Sequence, residues 1–492
     1  MSTINTNDLR VQNAKNFVAS ANSSEENTYL FVGRVTPWDN DETPPIPDNS
    51  IKEVYRTHQE MIALSRVNST DVMHMIPMAR WTSGVTYDMY RHDYSSSVNS
   101  FQGANNLYNS IYYVINQNND VYVCLFNDAN TPSSIEPQNT TNTPFFTSDG
   151  YQWLRLYKID SYHIENRTTQ NYMPILVNPE NAKTPEGAVY TVVIDSPGDE
   201  FTRSPQGRSN QIRYYYCNIV GDGRGAVARI LLNRGQVARV DVIRSGTDYT
   251  YASVDFVANR TYASLFDLDN NINGLDPKGD GTFLSTVIIS PPGGWGTDLV
   301  KELGGTRVGV FSELDFTYDE LLPNTTFRQV GLLHNPATVQ DNPSTMIACK
   351  GVKVIDNDPT NLYKIGEDIL QEVKEVDIQG NLIATHIAKG TVVGFDLSEG
   401  LLRYIQVPEL HADTDGVMYT FEGIEPIIGE ETGKVTTPDT SFMGLFKGVI
   451  FSEGYGVSEF QRYTGDIVYL TNLSPVERQE TQTEKISLII TY

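Results

Sequence analysis

Cysteine is scarce in this chain: Cys124, Cys217 and Cys349 are the three in 492 residues. They are far apart and odd in number, which excludes a disulfide scaffold, and no Cys-x-x-Cys pair exists to hold zinc. Three buried or semi-buried thiols are the expectation. Basic residues are also few. Lys+Arg number 36 against 61 Asp+Glu, a formal net charge of −25. Such a surface repels phosphate backbones and anionic lipid, so no nucleic acid and no membrane are expected among the partners. No window approaches the about 18 consecutive apolar residues of a membrane span. Met1-Ser2-Thr3-Ile4-Asn5 does not read as a signal peptide, so a soluble protein made in a cytosol is expected. Hydrophobic residues, at 39%, suffice for real cores, which argues against disorder of the whole chain. The length corresponds to about two to four domains.

Catalytic motifs are missing as well. His-Glu-x-x-His, Gly-x-Ser-x-Gly and Gly-x-x-x-x-Gly-Lys-Ser/Thr do not occur. Gly221-x-Gly223-x-Gly225 is the nearest Gly-rich loop. It opens a strand where a phosphate cradle needs a helix N-terminus, so it reads as a turn. The seven histidines (58, 74, 92, 163, 334, 386 and 411) are scattered. His58 falls in an apolar helical stripe and reads as a core or interface histidine. His74 and His92 lie in Met73–Tyr94, within reach of a carboxylate such as Asp88 or Asp93. Nothing in the spacing supports a Cys124–His nucleophilic pair. Carboxylate pairs are everywhere in so acidic a chain, and a glycosidase dyad is defined by a separation in space. No catalytic or cofactor-binding residue is assigned. One stretch approaches a metal motif: Asp269, Asn271, Asn273 and Gly274 match the start of a calcium loop, and Asp280 falls at its twelfth position. Against it, that position carries Asp where Glu is usual, Pro277 interrupts, and the flanks do not read as helices. A polar Asn/Gly turn is the preferred reading, with no metal assigned.

What the chain does have is aromatic and β-favouring residues. Tyr 28, Phe 19 and Trp 4, with 37 Gly and 24 Pro, favour strands and turns over helices. Two helices are nonetheless expected. In 8–21, Val11, Ala14, Phe17, Val18 and Ala21 form one apolar stripe. In 50–65, Ser50 and Glu53 form a capping box, and Ile51, Val54, Tyr55, His58, Met61 and Ile62 line one face. Strands are expected at 28–34, 111–115, 121–126 and 153–159, with a turn at Asn118-Asn119-Asp120 and a loop over 127–149. Ala226–Leu232 and Gln236–Ile243 read as a hairpin whose turn, Asn233-Arg234-Gly235, needs positive φ. Its second strand places Ala238, Val240 and Val242 on one face, with Val237, Arg239 and Asp241 on the other. Short strands recur through 346–440, and the chain closes with strands at 466–472 and 485–492.

Several segments together resemble a family. Tyr29-Leu30-Phe31-Val32-Gly33-Arg34-x-x-Pro37-Trp38, followed by Pro44-Pro45-Ile46-Pro47-Asp48-Asn49-Ser50, is similar to the start of baseplate wedge proteins of the gene-product-8 type, from T-even-like contractile-tailed bacteriophages. Asp149-Gly150-Tyr151-x-Trp153 resembles a further segment of that family, as does Phe327-Arg328-Gln329-Val330-Gly331-Leu332-Leu333-x-Asn335-Pro336. Thr464-Gly465-Asp466-Ile467-Val468-Tyr469-Leu470-x-Asn472 through Gln482-Thr483-Glu484-x-Ile486 resembles its C-terminal pair of strands. The matches follow one another in order along the chain. One departure stands out: Asn472-Leu473-Ser474-Pro475 lies where relatives tend to carry Asn-Arg-x-Pro, so any contact of that arginine is in doubt.

The resemblance implies a mainly β fold: a layered β-sandwich core with helix-bearing loops and inserted small β domains. The core is assigned to 1–179, 300–345 and 445–492, and β-rich insertions to 180–299 and 346–444. It implies a non-enzymatic structural subunit of the tail baseplate wedge, a homodimer that joins other wedge proteins of the same phage around the tail hub. Assembly is expected in the host bacterial cytoplasm and residence in the virion. The competing readings are a receptor- or glycan-binding tail protein and, behind it, a tail-associated polysaccharide hydrolase.

Overall fold

Strand accounts for 43% of the computed structural model and helix for 12%, so the protein is mainly β, with many antiparallel sheets and a small barrel. The structure describes residues 6–21, 23, 26–177, 183–201, 213–254, 261–274, 282–314, 325–338, 343–355, 358–447, 449–478 and 484–492. No helix among them is long and apolar enough to cross a membrane. The chain forms two compact units, both discontinuous: Met1–Lys15, Met73–Gly309 and Ile489–Tyr492 in the first, Asn16–Val72 and Val310–Leu488 in the second. The stretch 180–299 lies within the first and 346–444 within the second.

In the first unit, strands Tyr113–Ile115, Asp120–Phe126, Gln152–Lys158 and Phe145–Phe146 form an antiparallel sheet in that order. Asn119, at φ 64°, turns the expected hairpin. Residues 120–125 and 152–154 are buried without alternation, because both faces of the sheet are covered. Trp153, Leu154 and Tyr157 share this core with Trp295, Leu299 and Leu303. The part between carries a second core. Strands Val189–Pro197 and Phe283–Ile289 pair with each other, and Arg213–Asn218, Arg224–Asn233 and Gln236–Thr247 form a three-stranded sheet. Cys217, Ala228, Ile230, Tyr249 and Val287 pack together there. The expected hairpin turn is present, with Arg234 at φ 53° and Gly235 at φ 86°. The assignment of faces needs correction. The register slips between Leu231 and Leu232, leaving Ala238 unpaired as a bulge. An extra residue inverts the alternation, so Val237 joins Val240 and Val242 in the core.

The second unit is built on a five-stranded antiparallel sheet. Its order is Thr345–Ile347, Met61–Arg66, Thr28–Gly33, Thr326–His334, Asp466–Glu477. The central strand 28–33 is buried along its whole length. Here the second expected helix is cut short. It runs only over Ile51–Glu60, and Met61 to Arg66 is strand. Met61, Ile62, Ala63 and Leu64 must be covered on both faces between two neighbouring strands, and that burial overrides the helical spacing. The expected apolar face holds only at its end: Ile51 and Tyr55 are 78% and 53% exposed, His58 is buried as expected, and Gln59 and Glu60, off that face, are buried as well. Ser50 Oγ does accept the Glu53 amide at 3.2 Å, but the Ser50 amide donates to Asp48 in place of Glu53. The first helix matches its expected span, at Asn7–Ala21 with Val11 and Ala14 buried.

Six further strands of this unit close into a barrel. Lys350–Ile355 pairs with Leu401–Ile405, which pairs with Leu382–Asp396, then Asp368–Val376, Ile427–Gly429 and Val435–Pro438. The last returns to Lys350–Ile355, so none of the six is left as a free edge of the ring. Val352, Ile369, Val392, Leu402, Tyr404 and Ile427 fill the interior. The first of the short strands expected through 346–440 is Thr345–Ile347, which belongs to the five-stranded sheet. The final strand spans Glu484–Thr491, and its Glu484 and Leu488, four residues apart, are buried.

Candidate functional site

The residues singled out for chemistry do not converge. The three cysteines are buried, and none is in a disulfide. Burial pushes the Cys124 thiol well up, and its Sγ donates to the Phe126 carbonyl at 3.5 Å. His58 packs on the Tyr463 ring, and burial with the nearby Arg462 charge lowers its pKa. Burial depresses His74 to about 4. His92 accepts the Ile289 amide at 3.4 Å, and Asp93 is held by Arg91 at 2.7 Å. His163 sits on its own helix cap, 2.8 Å from Asp160, and His386 stacks on Tyr419. His334 lies 3.1 Å from Thr28 Oγ1. His411 is buried, accepts the Val407 amide at 2.7 Å and faces Thr391 at 3.0 Å, which latches the helical turn Pro408–His411 onto the barrel. Gly223 lies against the Tyr249 ring, where a β-carbon would meet it at 2.4 Å, in keeping with the turn reading.

The calcium-loop residues are committed elsewhere. Asp269 lies in the helical turn Leu265–Asn270, and both its oxygens accept from Arg244 at 2.7 Å. Asn271 Oδ1 accepts the Tyr262 hydroxyl at 2.6 Å, and the Asn273 amide donates to Asp267. Asp280 lies outside the described residues. Among the described residues, no group of three or more His, Cys, Asp or Glu is placed to hold a metal ion.

Three segments of the family resemblance come together in one sheet. Strand 28–33 pairs along its length with 326–334, and 326–334 with 466–477, although about 300 and 140 residues separate them. Where strand 28–33 ends, Arg34 takes a left-handed conformation, φ 61°. Its amide donates to the Glu60 carbonyl at 2.9 Å and its guanidinium to Glu60 Oε2 at 3.2 Å. The same guanidinium lies 3.6 Å from the centroid of the Trp38 ring. Glu60, only 1% exposed, also accepts from Arg56 and Thr36 at 3.2 Å. Burial lowers the Arg34 pKa and Glu60 opposes that shift. A carboxylate at this depth is tolerable because two guanidinium groups and a hydroxyl surround it.

A second arginine ties the same segment down. Arg328 grips Asp41 with bonds of 2.9 to 3.1 Å. The Trp38 indole donates to the Leu473 carbonyl at 3.0 Å, and Asn472 bridges the Pro45 carbonyl and Gln329 at 2.9 Å each. Position 473, where an arginine was expected by resemblance, thus contributes a main-chain acceptor. The strap leaves a cleft of about 450 Å³ lined by Arg34, Trp38, Pro45, Ile46, Arg56 and Asn472. The sequence flagged this motif, but gave no sign that Glu60 was its buried partner. Within the cluster, polar groups answer polar groups, an arrangement suited to fixing a backbone.

In the first unit, Asp149-Gly150-Tyr151-x-Trp153 is a turn entering a strand. Asp149 accepts the amides of Ser134 and Ile135 at 2.8 and 2.9 Å, gathering the 127–149 loop. Tyr151 stacks on Trp153 with centroids 5.4 Å apart. No family model matches the chain, and no curated protein matches it.

Proposed function

We propose that this chain is a structural subunit of a bacteriophage tail baseplate wedge, of the gene-product-8 type, working as a homodimer without catalysis. The observation that carries the reading is the ordered set of resembling segments. Three of them are adjacent strands of one sheet, and the first continues into the Arg34–Trp38 strap that crosses back to Asn472 and Leu473. Segments so distant in sequence that meet in one buried sheet are what a shared scaffold requires. A protein whose role is to be held by neighbours needs rigid surfaces, and clasps of buried ion pairs and cross-strand burial supply rigidity. Gln482 and Thr483 of the C-terminal match lie outside the described residues.

Sedimentation of the purified chain, with quantitative mass spectrometry of purified tails, tests the proposal. A dimer in isolation and a fixed copy number per tail are expected. A monomer absent from tails overturns it.

A further inference from the structure

The first unit contains a cleft of about 550 Å³, within the range of small-molecule sites. Strands Val189–Pro197 and Gln236–Thr247 line one side, and residues 89–101 and 126–130 the other. Three features of its lining bear on what it would hold.

The first is aromatic surface. Phe126 is half-buried in the lining, and Phe101 is 57% exposed. The second is a pair of guanidinium groups, one from each side, each bonded to a carboxylate. Arg91 donates to Asp93 from Nε at 2.9 Å and from a terminal nitrogen at 2.7 Å. Arg239 donates through Nε to Asp241. The other terminal nitrogen of Arg91 and both of Arg239 have no hydrogen-bond partner among the described residues, and neither does the Asn99 amide. The third is a strained lip. Asp128, Ala129 and Asn130 are all left-handed, at φ 48°, 53° and 67°, a run that L-residues avoid. It is enforced by Asn127, 2% exposed, whose amide donates to the Tyr87 carbonyl at 2.9 Å and to Asn130 Oδ1 at 2.8 Å. Strain held this firmly is characteristic of ligand clamps.

We infer that this cleft binds a neutral pyranose unit of a glycan. The apolar C–H face of a sugar ring suits an exposed phenyl ring. Its vicinal hydroxyls suit planar guanidinium and amide groups held in fixed orientation. A neutral sugar is favoured over an anionic one because the positive charge of Arg91, Arg239 and Arg229, which shares Asp241 with Arg239, is offset by Asp93, Asp241 and Asp128. The inference does not rest on the baseplate reading.

Saturation-transfer NMR on the full chain tests it, with methyl glycosides of glucose, galactose, rhamnose and N-acetylglucosamine as probes and N-acetylneuraminic acid as the anionic control. Transfer to at least one neutral glycoside is expected, weakened tenfold or more in Phe101→Ala and in Arg239→Ala. Circular dichroism shows whether each variant is folded, and Asn99→Ala serves as a further lining variant should one of them not be. Three results overturn the proposal: no transfer to any neutral glycoside, transfer unchanged in folded Phe101→Ala, or preference for the anionic sugar. All are read on the isolated chain, so a failure here is separate from a failure of the baseplate proposal.

Discussion

The ring of Phe31 lies across Gly331 on the adjacent strand. The two are direct cross-strand partners, and a β-carbon at Gly331 would stand 2.4 Å from Phe31 Cζ. Glycine is required here for space, since the Gly331 backbone is ordinary strand. Gly331→Ala is expected to cost about 1–3 kcal/mol through overpacking. Phe31→Ala should cost about 3–5 kcal/mol. The double variant should lose somewhat less than the sum, because the smaller residue at 31 takes the ring away from the methyl group, while the Tyr469 carbonyl, 2.6 Å from that position, still crowds it. Urea unfolding of the three variants measures this coupling.

The Arg34–Glu60 contact predicts that removing either partner alone is costly. Arg34→Met leaves the 1%-exposed Glu60 with less compensation, and Glu60→Gln leaves two arginines facing a neutral group. Each single change is expected to cost about 3–5 kcal/mol. Arg34→Met should also shift Trp38 fluorescence to longer wavelength as the strap loosens, which emission spectra at matched folded fraction would reveal.

Stability should fall with acid below neutral pH, in part through His74. Its folded pKa is about 4, against an ordinary value of 6.5, because burial disfavours the imidazolium. The folded state therefore binds fewer protons than the unfolded one over this window. The contribution is complete above pH 6.5, declines as pH drops toward 4, and is lost below. For this half-buried side chain it amounts to about 2–3 kcal/mol. His74→Gln should flatten the stability profile between pH 6.5 and 4, as thermal melts across that range would show; an unchanged slope contradicts the assignment.

Gly150 is constrained twice. It sits at φ 90°, and a β-carbon there would stand 2.6 Å from the Asp128 carboxyl carbon. Gly150→Ala should cost more than about 1 kcal/mol. Ala129→Gly relieves the left-handed conformation of the residue after Asp128 and should raise the thermal midpoint slightly. Differential scanning calorimetry of the two variants reads both signs.

Local signals were legible where one rule governed. The stripe of Val11 and Ala14, the Arg234-Gly235 turn and the closing strand through Leu488 followed from periodicity and turn chemistry. The failures came where tertiary burial won. Met61 to Leu64 carry helical spacing but are covered on both faces in a sheet. The Ala238 bulge inverted a face that alternation alone assigned wrongly. The Arg34–Trp38 segment was visible as a motif, yet Glu60, Asp41 and Leu473 complete it from positions that spacing does not mark. The cleft around Arg91, Phe101 and Arg239 was not legible at all, since its walls come from stretches about 60 to 150 residues apart in sequence.

The baseplate assignment is tested most directly by immunogold electron microscopy of intact particles of the phage that encodes the chain, with antibodies raised against it. Gold confined to the baseplate periphery is the predicted result. Gold only at fibre or spike tips, or no gold on the particle, contradicts it.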